Sequence, residues 1–145
     1  MKRKLVLLAV LGIATAGTAS AQWAGIFETR QAGMALQSAD FAGIRAVVAA
    51  KGDVKTLENP AKAIARWIKQ FPSLFPAGTE QGHDTKALPA IWSDKAGFQK
   101  AADDLAAAST KMAELAKAGD TDAVTAQVKV MADACAACHR TYRAR

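Results

Sequence analysis

Apolar residues recur with helical spacing in four segments of the chain. In the first segment, roughly residues 23–50, the apolar positions that repeat every seven residues are Phe27, Met34, Phe41 and Val48. The other three segments, roughly residues 59–71, 93–118 and 121–145, carry apolar faces of the same kind. Such a stripe is the side of a helix that packs against a neighbour. The pattern therefore predicts four amphipathic helices.

The connections between these segments predict how the helices are arranged. Those that follow residues 50 and 118 are short, and short connections join antiparallel neighbours. The connection over residues 72–92 is long and contains three of the four prolines of the chain. Long loops in compact domains often have a function. Because the sequence shows no useful run of alternating strand pattern, we expect an all-α, antiparallel up-down-up-down four-helix bundle.

The N-terminus has the three parts of a secretory signal. Residues 1–4, MKRK, form a short positive head, residues 5–16 are apolar, and small residues follow up to the sequence ASA at 19–21. This order is typical of a cleaved signal peptide, and the apolar part is too short to span a bilayer as a helix. We predict cleavage after Ala21, a mature domain of residues 22–145, and export to a bacterial periplasm in membrane-free form. An uncleaved anchor helix is the alternative.

The charge of the chain changes once this signal is removed. The full sequence has 19 basic and 13 acidic residues and a net charge of +6. The signal contains three of the basic residues, Lys2, Arg3 and Lys4, so 16 basic residues remain against 13 acidic ones, a net charge of +3. Nucleic-acid-binding domains carry a clustered basic face, and this mild charge predicts no nucleic-acid partner.

Both cysteines of the chain lie in one short motif near the C-terminus, CAACH at residues 135–139. Two cysteines are too few for a disulfide framework. On a helix that turns by about 100° per residue, Cys138 and His139 lie about 60° and 40° to either side of Cys135. The two thiols and the imidazole therefore share one face, which also carries the apolar residues of this helix.

The spacing C-x-x-C-H is the attachment motif of c-type haem. Each thiol adds to one of two vinyl groups on the same porphyrin edge, and the next imidazole is placed to bind the iron. A redox dithiol or a structural disulfide is the alternative, although a redox C-x-x-C normally opens a helix after a strand. Zinc would need four ligands, and the other histidine, His83, lies in the predicted loop. The motif favours one covalent haem c, with a haem-free dithiol protein as the remote alternative.

An exported four-helix bundle with this motif on its last helix resembles the cytochrome c′ family, which includes the low-spin cytochromes c-556. The resemblance covers the mature chain and rests on three stretches: RQAGM at 30–34, PAIWSD at 89–94 and CxxCHxxYR at 135–143. It implies a bundle that encloses one haem, with electron transfer or gas binding rather than enzymatic turnover. It also implies that two copies can associate as a homodimer.

The same resemblance implies roles for single residues. Cys135 and Cys138 would form the thioethers to haem, and His139 would be the proximal iron ligand. Arg30 and Gln31 match a pair that contacts a haem propionate. An arginine that faces the interior needs an anionic partner, which a propionate would supply. The plainer interpretation of Arg30 is a solvated side chain.

Three further positions complete the implied site. Asp84 and Thr85 resemble a loop pair that reaches the propionate edge, although both are equally well explained as ordinary loop residues. Arg143 matches an arginine beside the proximal histidine, and its alternative is a solvated chain end. Met34 matches the residue above the distal face of the haem, and its small neighbours Ala32, Gly33 and Ala35 are expected to let the first helix approach the ring.

Whether Met34 binds the iron distinguishes two possible functions. If its sulfur binds iron, the site is six-coordinate and low-spin, and the protein is an electron carrier. If the side chain only packs there, the site is five-coordinate and an apolar pocket admits NO or CO. Because either arrangement permits one-electron cycling of iron, the sequence favours electron transfer with periplasmic redox partners, and binding of small gas ligands is the alternative. The sequence shows neither a Ser-His-Asp set nor paired carboxylates, so we expect no enzyme activity.

Overall fold

The computed structural model describes the backbone of residues 17–145 and the side chains of residues 25–145. Its α-helices are α1 (Gly17–Ala49), α2 (Glu58–Gln70), α3 (Ala90–Ser93), α4 (Lys95–Ala118) and α5 (Thr121–Tyr142). Helix α1 packs against α2 and α5, and α4 packs against the same two helices. The predicted four-helix bundle is thereby confirmed, with α3 as an additional single turn before α4. The predicted signal peptide lies for the most part outside the described residues.

Side-chain caps explain where the last two long helices begin. The carboxylate of Asp94 accepts a hydrogen bond from the backbone N–H of Gly97 at 3.0 Å, which caps α4. Asp120 caps α5 in the same way by accepting from the N–H of Ala123 at 3.0 Å. Such caps satisfy N–H groups that have no partner within the helix. Helix α4 therefore starts at Lys95, two residues later than the apolar pattern predicts.

The end of α4 requires a glycine. Gly119 has a φ of 76°, and its N–H bonds to the carbonyl groups of Leu115 and Ala116. A left-handed residue at this position closes the last turn, and glycine adopts that conformation without steric cost. The chain therefore reverses between Gly119 and the Asp120 cap, which places α5 antiparallel to α4.

The core of the bundle is built from apolar side chains of all four long helices. Ile44 of α1, Met112 of α4, and Val124 and Met131 of α5 are completely buried, and Ile64 of α2 lies beside them. Burial of one such side chain contributes about 1.5–3 kcal/mol. At one end of the bundle this core gives way to aromatic rings that surround a large cavity.

Four aromatic residues form that end of the core, and they come from separate parts of the chain. The ring centroids of Phe71 and Phe75 are 5.0 Å apart, and those of Phe75 and Phe98 are 5.1 Å apart. Trp92 packs edge-on against Phe75 at 5.7 Å, and its indole N–H donates to the carbonyl of Pro76 at 3.1 Å. Edge-to-face contacts of this kind are favourable beyond the area they bury, so this cluster makes a stable wall.

No helix within residues 17–145 combines the length and the apolar character that a bilayer span requires.

Candidate functional site

A cavity of about 520 Å³ is lined by the candidate site residues that the sequence predicts. Its walls come from all five helices and from the loop between α2 and α3. Apolar side chains make up much of its lining: Phe27, Ile68, Phe71, Phe75, Ile91, Phe98 and Leu105. The polar residues of the lining include Arg30, Gln31, Asp84, Thr85, His139 and Arg143. An apolar chamber with a few polar groups is the usual form of a cofactor site.

Cys135 and Cys138 line this cavity as free, half-buried thiols. Burial raises the pKa of both, and it raises that of Cys138 to about 11 with a smaller contribution from Cys135. The two sulfurs are therefore protonated thiols at neutral pH. Among the described side chains, no group of three or more His, Cys, Asp or Glu residues converges as a metal ion would require. The arrangement thus gives no support to a zinc site.

His139 borders the same cavity, although the residue as a whole is exposed to solvent. Burial lowers the pKa of its imidazole, and the neighbouring Arg143 guanidinium lowers it further. Both effects favour the neutral imidazole, which is the form that binds metal ions. The imidazole is therefore placed at the cavity mouth in a state that can act as a ligand.

Arg30 is buried, with only 5% of its surface exposed. Its Nε donates to the carbonyl of Leu74 at 2.7 Å, its Nη1 to the carbonyl of Thr79 at 3.3 Å, and its Nη2 to the Thr79 hydroxyl. The guanidinium also lies 3.9 Å from the centroid of the Phe75 ring and 4.8 Å from that of Phe27. The solvated interpretation of Arg30 is therefore wrong, because this side chain ties α1 to the long loop.

Among the side chains that the structure describes, no carboxylate lies within hydrogen-bond distance of the Arg30 guanidinium. Burial lowers its pKa to about 10, and the more distant Glu80 offsets part of that effect. The side chain thus stays charged at neutral pH. A guanidinium has five N–H donors, and beyond the three bonds to Leu74 and Thr79 the other two N–H groups have no partner within the described part of the chain. Arg30 lines the cavity, so it can serve an anionic group bound there while it holds the loop.

Gln31, Asp84 and Thr85 meet at the edge of the cavity. The amide of Gln31 donates to the backbone carbonyl of His83 at 3.1 Å, which links α1 to the loop. His83 and Asp84 have φ values of 50° and 51°. Two successive non-glycine residues in the left-handed region are strained, and such strain tends to occur at functional sites. This turn brings Asp84 and Thr85 to the cavity, where both belong to the lining.

Met34 lines the cavity from α1 and is half-buried, whereas its neighbour Gly33 faces another direction. A Cβ atom built on Gly33 would lie 1.8 Å from Cζ2 of Trp67 in α2. Of the three small neighbours of Met34, Ala35 lines the cavity, whereas Ala32 and Gly33 do not, so the expectation that Gly33 lets α1 approach the ring is wrong. Its role is to let α1 lie close to α2, and this contact sets the position from which Met34 projects.

We expect Gly33→Ala to destabilise the protein by about 1–3 kcal/mol, because overpacking displaces α1 or the Trp67 indole. Gly43→Ala is the matched control on the same helix, since a Cβ there meets nothing within 4 Å. That control should stabilise the helix by about 0.5–1 kcal/mol. Denaturant unfolding measures both free energies. Equal stability of the two variants would contradict the close contact with Trp67.

The chain end pairs with the loop beside the cavity. Ala87 and Arg143 form an isolated antiparallel bridge, and the N–H of Ala144 donates to the carbonyl of Lys86 at 2.8 Å. Arg143 follows α5 in extended conformation and lines the cavity. Sequence patterns gave no sign of this pairing, because it involves single residues rather than a strand. It places the loop that carries Asp84 and Thr85 next to the helix that carries His139.

Comparison with known proteins gives a consistent result. Residues 26–143 match the family model described as Cytochrome C′. The chain is 35% identical over 118 residues to a cytochrome c′ of Rubrivivax gelatinosus, which covers 80% of this chain and 92% of that protein. It is 34% identical over 149 residues to a cytochrome c-556 of Agrobacterium fabrum, which covers 99% and 97% of the two chains.

Solved structures agree with these relatives. The crystal structure of the Rubrivivax gelatinosus cytochrome c′ superposes with a TM-score of 0.73 at 34% identity, covering 82% of this chain and 94% of that one. A nitric oxide complex of a cytochrome c′ mutant from Alcaligenes xylosoxidans superposes with a TM-score of 0.75 at 26% identity, covering 85% and 96%. Together with the C-x-x-C-H motif in the bundle cavity, these findings show that the chain belongs to the cytochrome c′ family and binds one covalent c-type haem.

Proposed function

We propose that this protein is an exported monohaem cytochrome that transfers single electrons in the periplasm. The observation that carries the proposal is the single cavity in which Cys135, Cys138 and His139 of α5 meet Met34 of α1. Its haem supplies one iron that changes oxidation state by one electron and accepts axial ligands. The role of the chain is to hold and orient that group and to keep water from it.

The residues around the cavity fit such a group. Cys135 and Cys138 are free thiols on one helix face, which suits attachment at two points. His139 is the nearest candidate for the proximal ligand, since its neutral imidazole is favoured. The two unused N–H groups of Arg30 suit a carboxylate, and buried charges of this type are stable only when they are paired or hydrogen-bonded.

We infer that the carboxylate edge of the group lies among the remaining polar residues of the lining. Gln31, Asp84 and Thr85 line one side of the cavity, and Arg143 lines it from the chain end. We assign Gln31, Asp84 and Thr85 to the propionate edge and Arg143 to the side of His139. Substitution of these residues should change the reduction potential, which depends on hydrogen bonds and burial around the group.

Electron transfer is favoured by the exposure of the attachment edge. His139 and Arg143 border the cavity and also reach solvent, so a redox partner can come close to the site without opening the bundle. The apolar lining on the other sides keeps the group in a dry, rigid setting, which limits reorganisation when the charge changes. We infer that the partners are other periplasmic redox proteins and that no substrate is turned over.

Gas binding is the second candidate, and a specific observation supports it. The relative from Alcaligenes xylosoxidans has been solved as a nitric oxide complex. In the present chain Met34 is half-buried at an apolar cavity, where it can act either as a ligand or as a lid. A small neutral gas would suit that lining, because it requires no charged partner.

Optical spectra of the ferrous protein with and without CO distinguish the two functions. For the electron carrier with Met34 bound, we expect a sharp, split α/β pair that CO leaves unchanged. A broad high-spin band that sharpens with CO would instead assign Met34 as a lid and favour gas binding. In that case Met34→Ala should bind CO faster than the native protein. Met112→Leu is the control, since Met112 is buried in the core away from the cavity lining.

Export is proposed from the N-terminal signal. Cleavage after Ala21 would leave Gln22 as the first residue of the mature protein. The mass of the intact periplasmic protein measures this directly. A mass that includes residues 1–21 would support the anchored alternative.

A further inference from the structure

Tyr142 is the single tyrosine of the chain, and it connects three segments around the cavity. It ends α5 three residues after His139, and only 6% of its surface is exposed. Its hydroxyl donates to Oδ2 of Asp94 at 2.7 Å, and its backbone carbonyl accepts from the N–H of Leu88 at 3.0 Å. Its ring packs edge-on against Phe98 with centroids 5.1 Å apart. This one residue therefore joins the end of α5 to the start of α4 through its side chain and to the loop through its backbone carbonyl.

The contact with Asp94 depends on a third residue. Oδ1 of Asp94 accepts from the N–H of Gly97, so the carboxylate caps α4 with one oxygen and holds Tyr142 with the other. A Cβ atom on Gly97 would lie 2.2 Å from Oδ2 of Asp94 and 2.5 Å from the Tyr142 hydroxyl oxygen. Only glycine leaves room for this hydrogen bond. The arrangement is therefore specific rather than a chance surface contact.

The hydrogen bond is maintained across neutral pH. It lowers the pKa of Asp94, with a further contribution from the Gly97 N–H. The same hydrogen bond, together with burial, raises the pKa of Tyr142 to about 12. The tyrosine therefore stays a donor and the aspartate stays a charged acceptor, which makes this one of the stronger types of hydrogen bond.

The hydrogen bond between Tyr142 and Asp94, here called the clasp, lies next to the candidate site because Tyr142 is on the same helix as His139. Residues three apart on a helix lie on the same face, one turn from each other. Tyr142 lines the cavity together with Cys138 and His139. Beyond it the helix ends, because the N–H of Arg143 bonds to the carbonyl of His139 at 3.2 Å and the chain becomes extended. Without an anchor, the last turn of α5 would fray as helix ends do.

We propose that Tyr142 is a positioning residue for His139, and that its hydrogen bond to Asp94 sets the orientation in which the last turn of α5 presents the imidazole to the haem. This inference rests on the proposed role of His139 as the proximal ligand. The hydrogen bond between Tyr142 and Asp94 acts on His139 through the backbone of one helical turn.

The test compares Tyr142→Phe, Asp94→Ser and the double variant in the haem-loaded protein. Phenylalanine keeps the ring contact and removes only the hydroxyl, whereas serine still caps α4 but is too short to reach Tyr142. We expect each single variant to shift the reduction potential and to split the ferric EPR signal into more than one species. The double variant should show the same shift as the single ones, because all three remove one hydrogen bond.

Asp120→Ala is the matched control, because it removes the cap at the opposite end of the same helix. It should lower stability and leave the potential and the EPR signal unchanged. A Tyr142→Phe protein with native potential and a single native EPR species overturns the proposal, as does a double variant whose shift is the sum of the two. Ferrous optical spectra with and without CO on the same samples separate this result from failure of the proposed function, in which the native protein would show a broad high-spin band that sharpens with CO.

Discussion

A protein with Cys135→Ala and Cys138→Ala should lose most of its ordered structure when it is prepared without haem. The cavity between the helices measures about 520 Å³. The cavity reaches solvent at His139, so without haem its apolar walls would face water; burial of each such side chain otherwise contributes about 1.5–3 kcal/mol, which over the lining is a loss on the order of 10 kcal/mol. That is comparable with the whole stability of a typical domain, about 5–15 kcal/mol. Circular dichroism during heating should show a weak, broad transition in place of a cooperative one.

The matched control for this experiment changes the two alanines between the cysteines. Ala136 and Ala137 are both exposed, so Ala136→Ser, Ala137→Ser keeps the C-x-x-C-H spacing and should retain haem and a cooperative transition. Haem content is measured by pyridine haemochrome in parallel. A haem-free double-cysteine variant that melts cooperatively at the native temperature would show that the bundle does not depend on the group in its cavity.

Arg30→Leu should destabilise the protein by about 3–5 kcal/mol, because three acceptor groups lose their charged donor. The substitution leaves the carbonyl groups of Leu74 and Thr79 and the Thr79 hydroxyl without their donor. Thr79 is completely buried, and an unsatisfied buried polar group costs about 1–3 kcal/mol. If Arg30 also pairs with a propionate, the reduction potential of this variant should become more strongly dependent on pH.

Arg45→Leu serves as the control for charge, since Arg45 is an exposed arginine on the same helix. Surface substitutions of this kind usually change stability by less than about 0.5 kcal/mol. Arg30→Lys keeps the charge but loses the planar guanidinium that donates to several acceptors. The free energy of unfolding of this variant should lie between those of the native protein and Arg30→Leu. Denaturant unfolding of the haem-loaded proteins measures all three. An Arg30→Leu protein with native stability would show that water or other donors replace the guanidinium.

The sequence alone predicts those features that depend on neighbouring residues. Helical periodicity comes from contacts between residues three or four apart, so the four long helices and the bundle fold could be predicted and are confirmed. The C-x-x-C-H motif is likewise local, and it predicts the covalent haem that the family shares. The roles of the single site residues are not decided by these patterns and remain proposals.

Distant pairs could not be predicted in this way. The Arg30 side chain bonds to residues 44 and 49 positions away in the chain, and Tyr142 bonds to a residue 48 positions away. The contact of Gly33 with Trp67 and the bridge between Ala87 and Arg143 are of the same kind. No repeating pattern marks such pairs, because each involves one side chain or one backbone group at one site.

The sequence by itself therefore determined the fold class, the attachment motif and the face of α5 on which Cys135, Cys138 and His139 lie. Only the tertiary structure decided which other groups meet them: the loop held by Arg30, the edge formed by Asp84 and Thr85, and the clasp between Tyr142 and Asp94. The physical reason is that helix formation is governed by local spacing, whereas the cavity wall depends on how separate segments fill space and satisfy buried polar groups.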